Sequence, residues 1–151
     1  MTDPAPPVPR LDLILGLAPV LLLAAAGIAS WLLPPLWAGV AVAAGTIWGG
    51  AILAFMAGVT RGLSFLTAGG PQRGQVAAMG WLFALAFGSM IAPTWIALIL
   101  LAMGYATIAL YDPPAARLGW APASFARLRP VQMAVAVAGL MILLARVTLA
   151  A

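Results

Sequence analysis

Five long stretches of this 151-residue chain are apolar and nearly free of charge, and they constrain the fold more than any other feature. Only Asp12 and Arg146 place a charge inside them. A helix of roughly 20 apolar residues crosses a hydrocarbon core of about 30 Å. The sequence therefore predicts an all-α integral membrane protein, a bundle of five transmembrane helices at residues 11–33, 36–59, 75–92, 94–111 and 130–149.

The composition supports lipid as the main solvent of the chain. Hydrophobic residues make up 65% of the sequence and the mean hydropathy is +1.13, whereas a water-soluble domain of this size needs much more polar surface. Residues 1–10 contain four prolines and are predicted to form a disordered tail. Because the five helices use nearly all the remaining residues, we expect one transmembrane domain over residues 11–151.

The missing residue types exclude several kinds of chemistry. Cysteine, histidine and glutamate are absent, and the only acidic side chains belong to Asp3, Asp12 and Asp112. The usual metal ligands, cofactor ligands and general bases are therefore lacking. We expect no metal, no cofactor, no catalytic residue and no enzymatic activity. The sequence pI of about 11.3 does not predict nucleic-acid binding, because the seven basic residues are scattered and form no basic patch.

The connections between the helices predict an orientation in the membrane. Two are short proline turns, and the two longer ones hold most of the arginines. Together with the N-terminal tail, the longer connections carry six arginines, against Arg146 alone on the other side. By the positive-inside rule, the N-terminus lies in the cytoplasm and the C-terminus in the periplasm of a bacterial inner membrane. Asp112-Pro113-Pro114 is expected to end the fourth helix, and Pro122 to open a short interfacial segment before the last one.

Small residues four apart predict where helices pack closely. Such spacing places them on one helix face, so that a neighbouring backbone can approach. The second helix is the richest in them and is the candidate for the centre of the bundle. The candidate packing residues are Gly45, Gly49, Ala54, Gly58 and Gly62 on the second helix, with Ala84 and Gly88 on the third.

Few polar side chains are candidates for a site. Four arginines near the predicted inner surface could contact anionic lipid headgroups: Arg61, Arg73, Arg127 and Arg129. Asp112 with Arg127 or Arg129 is interpreted as an interfacial ion pair, with a proton or anion site as the alternative. Thr46, Ser89 and Tyr105 either pack within the helices or line a polar pathway.

Three segments together resemble an uncharacterised bacterial family of multi-pass membrane proteins, whose animal relative is the mitochondrial transmembrane protein sixty-nine. They are Leu-Gly-Leu-Ala-Pro at 15–19, the glycine-rich stretch at 48–62, and Pro-Ala-Ser-Phe-Ala-Arg-Leu-Arg at 122–129. Their order and spacing are similar to the family's across nearly the whole chain. Ala54, Ala57 and Arg61 stand where that family has Ser, Gly and Trp. The resemblance implies five membrane helices and no established activity.

Three functional hypotheses follow. The first is a non-enzymatic inner-membrane protein, an accessory subunit or assembly factor that packs with other membrane proteins or with itself. The alternative is a small oligomeric transporter or channel with a path near Thr46, Ser89 and Tyr105. The third is a protein that binds or acts on a lipid or hydrophobic cofactor through the four inner arginines.

Overall fold

The computed structural model describes residues 10–150, with side chains from Leu13 onward. Within that range the chain forms five α-helices and no strand. All five are long and apolar enough to cross a membrane. The predicted tail lies outside the described residues except for Arg10, which begins the first helix. The helices are α1 (Arg10–Leu32), α2 (Pro35–Leu66), α3 (Arg73–Ile91), α4 (Thr94–Arg117) and α5 (Ala123–Leu149).

The helices form a closed ring. Each packs against its neighbours in the sequence, and α5 returns to pack against α1, while α2 also contacts α4 and α5. Two connections, at residues 33–34 and 92–93, lie at one end of the bundle, which we call the turn end. The connections at 67–72 and 118–122 lie at the other, the loop end. Gly69, Gly70 and Gly119 have positive φ angles there, which favour glycine.

Leucines fill the centre of the ring, and large apolar side chains also cover its outside. Leu66 is 83% exposed and Leu110 is 79% exposed, which would be costly in water and is expected in lipid. Few charged side chains lie in the interior. The fully buried centre includes Leu23, Leu53, Leu98, Leu101, Tyr105, Leu140 and Leu143.

The second helix continues seven residues beyond its predicted end at Val59. Arg61 and Gly62 resemble a loop in sequence, but the hydroxyls here bond to their own helix. Thr60 Oγ1 donates to the Met56 carbonyl at 3.1 Å, and Ser64 Oγ to the Arg61 carbonyl at 2.7 Å. With 32 residues, α2 is about 48 Å long, which exceeds a typical hydrocarbon core.

The prediction that Asp112-Pro113-Pro114 ends the fourth helix is wrong. Although both prolines lack a backbone donor, α4 continues through them to Arg117. Its end is closed by the Leu118 N–H, which donates to the Pro114 carbonyl at 3.1 Å. The interfacial segment is not separate either, because residues 123–129 form the first turns of α5, which runs on through Pro130. Packing against neighbouring helices allows such prolines inside membrane helices.

Candidate functional site

The best-defined polar cluster lies at the loop end, between α4 and α5. Arg129 Nε is 3.3 Å from Asp112 Oδ2, and each side chain is only 11% exposed. The guanidinium carbon lies 4.3 Å above the centre of the Phe125 ring, and Nη1 is 2.9 Å from Met56 Sδ. The ion pair is therefore inside the bundle, whereas the sequence predicted it at the interface. Its partner is Arg129, one of the two arginines considered.

Burial changes the energetic meaning of this pair. An exposed pair contributes about 0–1 kcal/mol, whereas removal of one partner from a buried pair costs about 3–5 kcal/mol. The pair joins the last turns of α4 to the first turns of α5, which are the regions that sequence analysis assigned to a loop. The ion pair therefore holds these two helix ends together, and the charges of Asp112 and Arg129 neutralise each other.

The Gln75 side chain forms hydrogen bonds to both connections at the loop end. Its side chain is buried, and Nε2 donates to Thr67 Oγ1 at 2.9 Å and to the Trp120 carbonyl at 3.4 Å. Its Oε1 accepts a hydrogen bond from the Gln72 N–H at 3.0 Å. One amide thus joins the two loop-end connections to the start of α3. Nearby, the Tyr111 hydroxyl is buried without a hydrogen-bond partner among residues 10–150.

The four arginines predicted to contact lipid headgroups occupy three kinds of environment. Arg73 and Arg127 are exposed at the loop end. Arg61 is half-buried, with its guanidinium 4.1 Å from the centre of the Phe65 ring and Nη1 donating to Ser64 Oγ at 3.1 Å. Arg129 lies inside the bundle on Asp112, and its side chain is only 11% exposed.

Gly45 and Gly49 lie where neighbouring helices approach α2 closely. A Cβ on Gly45 would be 2.8 Å from Leu143 Cδ1, and one on Gly49 would be 3.0 Å from Leu101 Cδ1. The Gly49 carbonyl also accepts a hydrogen bond from the Tyr105 hydroxyl at 3.0 Å. These two glycines therefore admit side chains of α4 and α5 to the face of α2.

The other predicted packing residues have different surroundings. Gly58 and Gly62 are exposed, and a Cβ on either would meet nothing within 4 Å. Ala84 is exposed on α3, while a Cβ on Gly88 would be 3.4 Å from Leu100 Cδ1. Ala54 is half-buried against the core. The spacing of four thus marks both inner and outer faces of these helices.

At Gly139 the backbones of α1 and α5 approach each other closely, which the sequence pattern did not predict. A Cβ on Gly139 of α5 would lie 2.8 Å from both the Ala24 nitrogen and the Leu23 carbonyl carbon of α1. One on Gly27 would lie 2.9 Å from the Gly139 carbonyl oxygen. Neither glycine has a small residue four positions away, so the pattern used to find packing faces does not select them.

Thr46 and Ser89 meet at a cavity of about 610 Å³ at the turn end. Its walls come from α2, α3, α4 and the last turns of α5, and they include Arg146. Both hydroxyls donate to carbonyls of their own helices, at 2.8 Å and 2.7 Å. Tyr105 does not line this cavity, because its hydroxyl is fully buried on the Gly49 carbonyl.

Among the side chains that the structure describes, no group of three or more His, Cys, Asp or Glu residues could hold a metal ion. Several buried polar side chains bond to backbone carbonyls or to one another, as Ser30, Ser64 and Ser89 do. Comparison of the chain with protein-family models, curated proteins and solved structures finds no match.

Proposed function

We propose that this chain is a non-enzymatic protein of the bacterial inner membrane that packs laterally with other membrane proteins, as an accessory subunit or assembly factor. The observation that carries the proposal is the open space beside Gly58 and Gly62. Gly45 and Gly49 of the same helix pack against other helices of this chain, whereas Gly58 and Gly62 do not. The kinship with the family of transmembrane protein sixty-nine, predicted from three motifs, is part of the same proposal.

The shape of this outer face suits another helix. Phe55 precedes Gly58 by three residues and Phe65 follows Gly62 by three, and both rings are more than 60% exposed. Residues three and four apart share a helix face, so a shallow glycine groove lies between two aromatic side chains. In lipid, helices associate through close van der Waals packing, and small residues allow it. We define this face by Phe55, Gly58, Gly62 and Phe65 and call it the outer glycine face.

The test is recovery of partners from native membranes in mild detergent, followed by mass spectrometry. Gly58→Leu with Gly62→Leu should abolish co-purification of a membrane partner while the chain remains folded. Ala106→Leu adds comparable bulk at an exposed position of α4 and serves as the control, which should retain the partner. Recovery of this chain alone from the wild-type membrane would contradict the proposal.

The proposed orientation places the loop end in the cytoplasm. It rests on the six arginines on the loop-end side, which include Arg10 at the start of α1, against Arg146 at the turn end. A phosphatase reporter, active only in the periplasm, should be active when fused at the turn end and inactive when fused in residues 67–72. The opposite pattern would reverse the orientation.

A second candidate function is a small oligomeric transporter or channel. The observation that favours it is the turn-end cavity, because two of the three predicted path residues, Thr46 and Ser89, line it. On the loop-end side of this cavity, the side chains of Leu53, Leu98 and Leu101 are fully buried. A solute path through one chain would therefore require these side chains to move. Solute flux in proteoliposomes that falls with Ser89→Leu would favour this function, and absence of flux would remove it.

A further inference from the structure

Gln132 is a buried residue whose amide has no hydrogen-bond partner among the described residues. The residue is only 3% exposed, and its side chain makes no hydrogen bond to the described residues, whose side chains begin at Leu13. Its Nε2 lies so close to α1 that a Cβ on Gly16 would overlap it. An amide so shielded from bulk water normally forms hydrogen bonds with other groups. The natural expectation is that something outside the protein bonds to it.

The amide lines a cavity of about 240 Å³ between α1, α2 and α5, which we call the side cavity. Two residues of its wall, Leu15 of α1 and Phe55 of α2, are each more than 60% exposed, so we infer that the cavity opens to the outside of the bundle between these helices. A lipid-soluble molecule could therefore enter it from the bilayer. Most of the wall is apolar, and the polar residues on it are Gln132, Arg129 and Ser124.

The charges on the wall indicate what kind of molecule fits. Among the described side chains on the wall, Arg129 alone is charged, and Asp112 already neutralises it from outside the cavity at 3.3 Å. Gln132 also lies five residues beyond Arg127 on α5, or about 7.5 Å further from the loop end. A charged head would have to leave water to reach it, at high cost. The occupant is therefore uncharged.

We propose that the side cavity binds an uncharged lipid whose head presents a carbonyl oxygen to the Gln132 amide and the Arg129 guanidinium. Arg129 keeps its place through Asp112 and Phe125, so its donors are held before the ligand arrives. The apolar tail leaves between Leu15 and Phe55 into the bilayer. Carbonyls of this kind occur in diacylglycerols and in prenylated quinones, and the experiment separates the two.

The test uses the full chain in phosphatidylcholine nanodiscs. A diazirine-bearing dioleoylglycerol is photo-crosslinked over a range of concentrations, and unlabelled dioleoylglycerol or a prenylated benzoquinone competes. We expect saturable labelling that maps to residues 13–20 or 52–59, displaced better by one of the two competitors. That competitor identifies the class of lipid. Labelling that is not saturable, or that neither competitor displaces, would overturn the proposal.

Gln132→Leu separates a ligand-binding amide from a structural one. Because the amide has no described protein partner, this nearly isosteric change should leave the thermal midpoint of unfolding unchanged or raised. It should also weaken binding about fivefold to tenfold, the loss expected for one hydrogen bond. Gly16→Ala, which would displace the amide, should weaken binding too, and Thr148→Val at the exposed turn end should not. Unchanged affinity in Gln132→Leu, or a lowered midpoint, would contradict the proposal.

Discussion

The two halves of α2 use the same spacing of glycines in opposite ways. In the first half, Gly45 and Gly49 face side chains of α1, α4 and α5 within about 3 Å of an added Cβ. In the second half, Gly58 and Gly62 face open space. The comparison teaches that a small-residue pattern on a membrane helix specifies a close approach without specifying the approaching chain. The first half stabilises this protein, and we assign the second half to a partner.

The largest effect on stability is expected outside α2, at Gly139, where the backbone of α5 lies close to the backbone of α1. Gly139→Ala should destabilise the purified chain by about 3 kcal/mol, because the new methyl group would force α1 and α5 apart. Unfolding in detergent, followed by circular dichroism, measures it. Gly80→Ala is the matched control, since a Cβ there meets nothing within 4 Å. Equal stability of the two variants would contradict the close approach.

Gly45→Ala should have the next largest effect, about 1–2 kcal/mol. Its Cβ would press on Leu143 Cδ1 at 2.8 Å and on Ala26 Cβ at 3.1 Å, and a buried leucine yields more easily than a backbone does. A smaller residue at 143 should relieve part of the strain. In a double-mutant cycle, Gly45→Ala and Leu143→Val should therefore be less than additive. Strict additivity would show that the two positions do not touch.

Tyr105→Phe sharpens the comparison by removing a single polar contact from the first half of α2. The tyrosine hydroxyl donates to the Gly49 carbonyl at 3.0 Å in the fully buried centre. Its loss should cost about 1 kcal/mol, the usual net value of one hydrogen bond. The same unfolding measurement applies. A stability equal to wild type would show that this bond does not help to hold α4 against α2.

The smallest effect is expected on the outer glycine face. Gly58→Ala with Gly62→Ala should change the stability of the isolated chain by less than about 0.5 kcal/mol per site, since no neighbour is disturbed. Alanine's higher helix propensity favours a small gain. A loss above about 1 kcal/mol in the purified chain would break the comparison, because it would place a neighbour from this chain on that face.

The apolar runs predicted the number and approximate positions of the helices, since hydrocarbon thickness sets the length of a spanning helix. The positions at which the helices end on the loop-end side were harder to predict. Arg61, Gly62 and the two prolines after Asp112 resemble loop residues, yet hydroxyl-to-carbonyl bonds and packing keep them helical. A sequence pattern describes local preference, and these ends are decided by contacts with other helices.

The candidate site residues were also predicted only in part, because their surroundings depend on contacts with other helices. Spacing identified the faces of α2, but which face is inside depends on the ring of helices, so Gly45 and Gly62 could not be distinguished. The sequence predicted an ion pair of Asp112 with either Arg127 or Arg129. The structure pairs it with Arg129, and the burial of the pair follows from the helical extension of both elements. Gln132 carried no signal beyond being polar in an apolar run, because only its neighbours reveal a missing partner.

The most direct test of the account is crosslinking at the outer glycine face in intact membranes. The sequence contains no cysteine, so Gly62→Cys and Ala106→Cys each place one thiol at an exposed helix position. A thiol-attached photocrosslinker at residue 62 should join this chain to a membrane polypeptide, and the same reagent at residue 106 should not. Lipid adducts alone at both positions would contradict the assignment of this face to a protein partner.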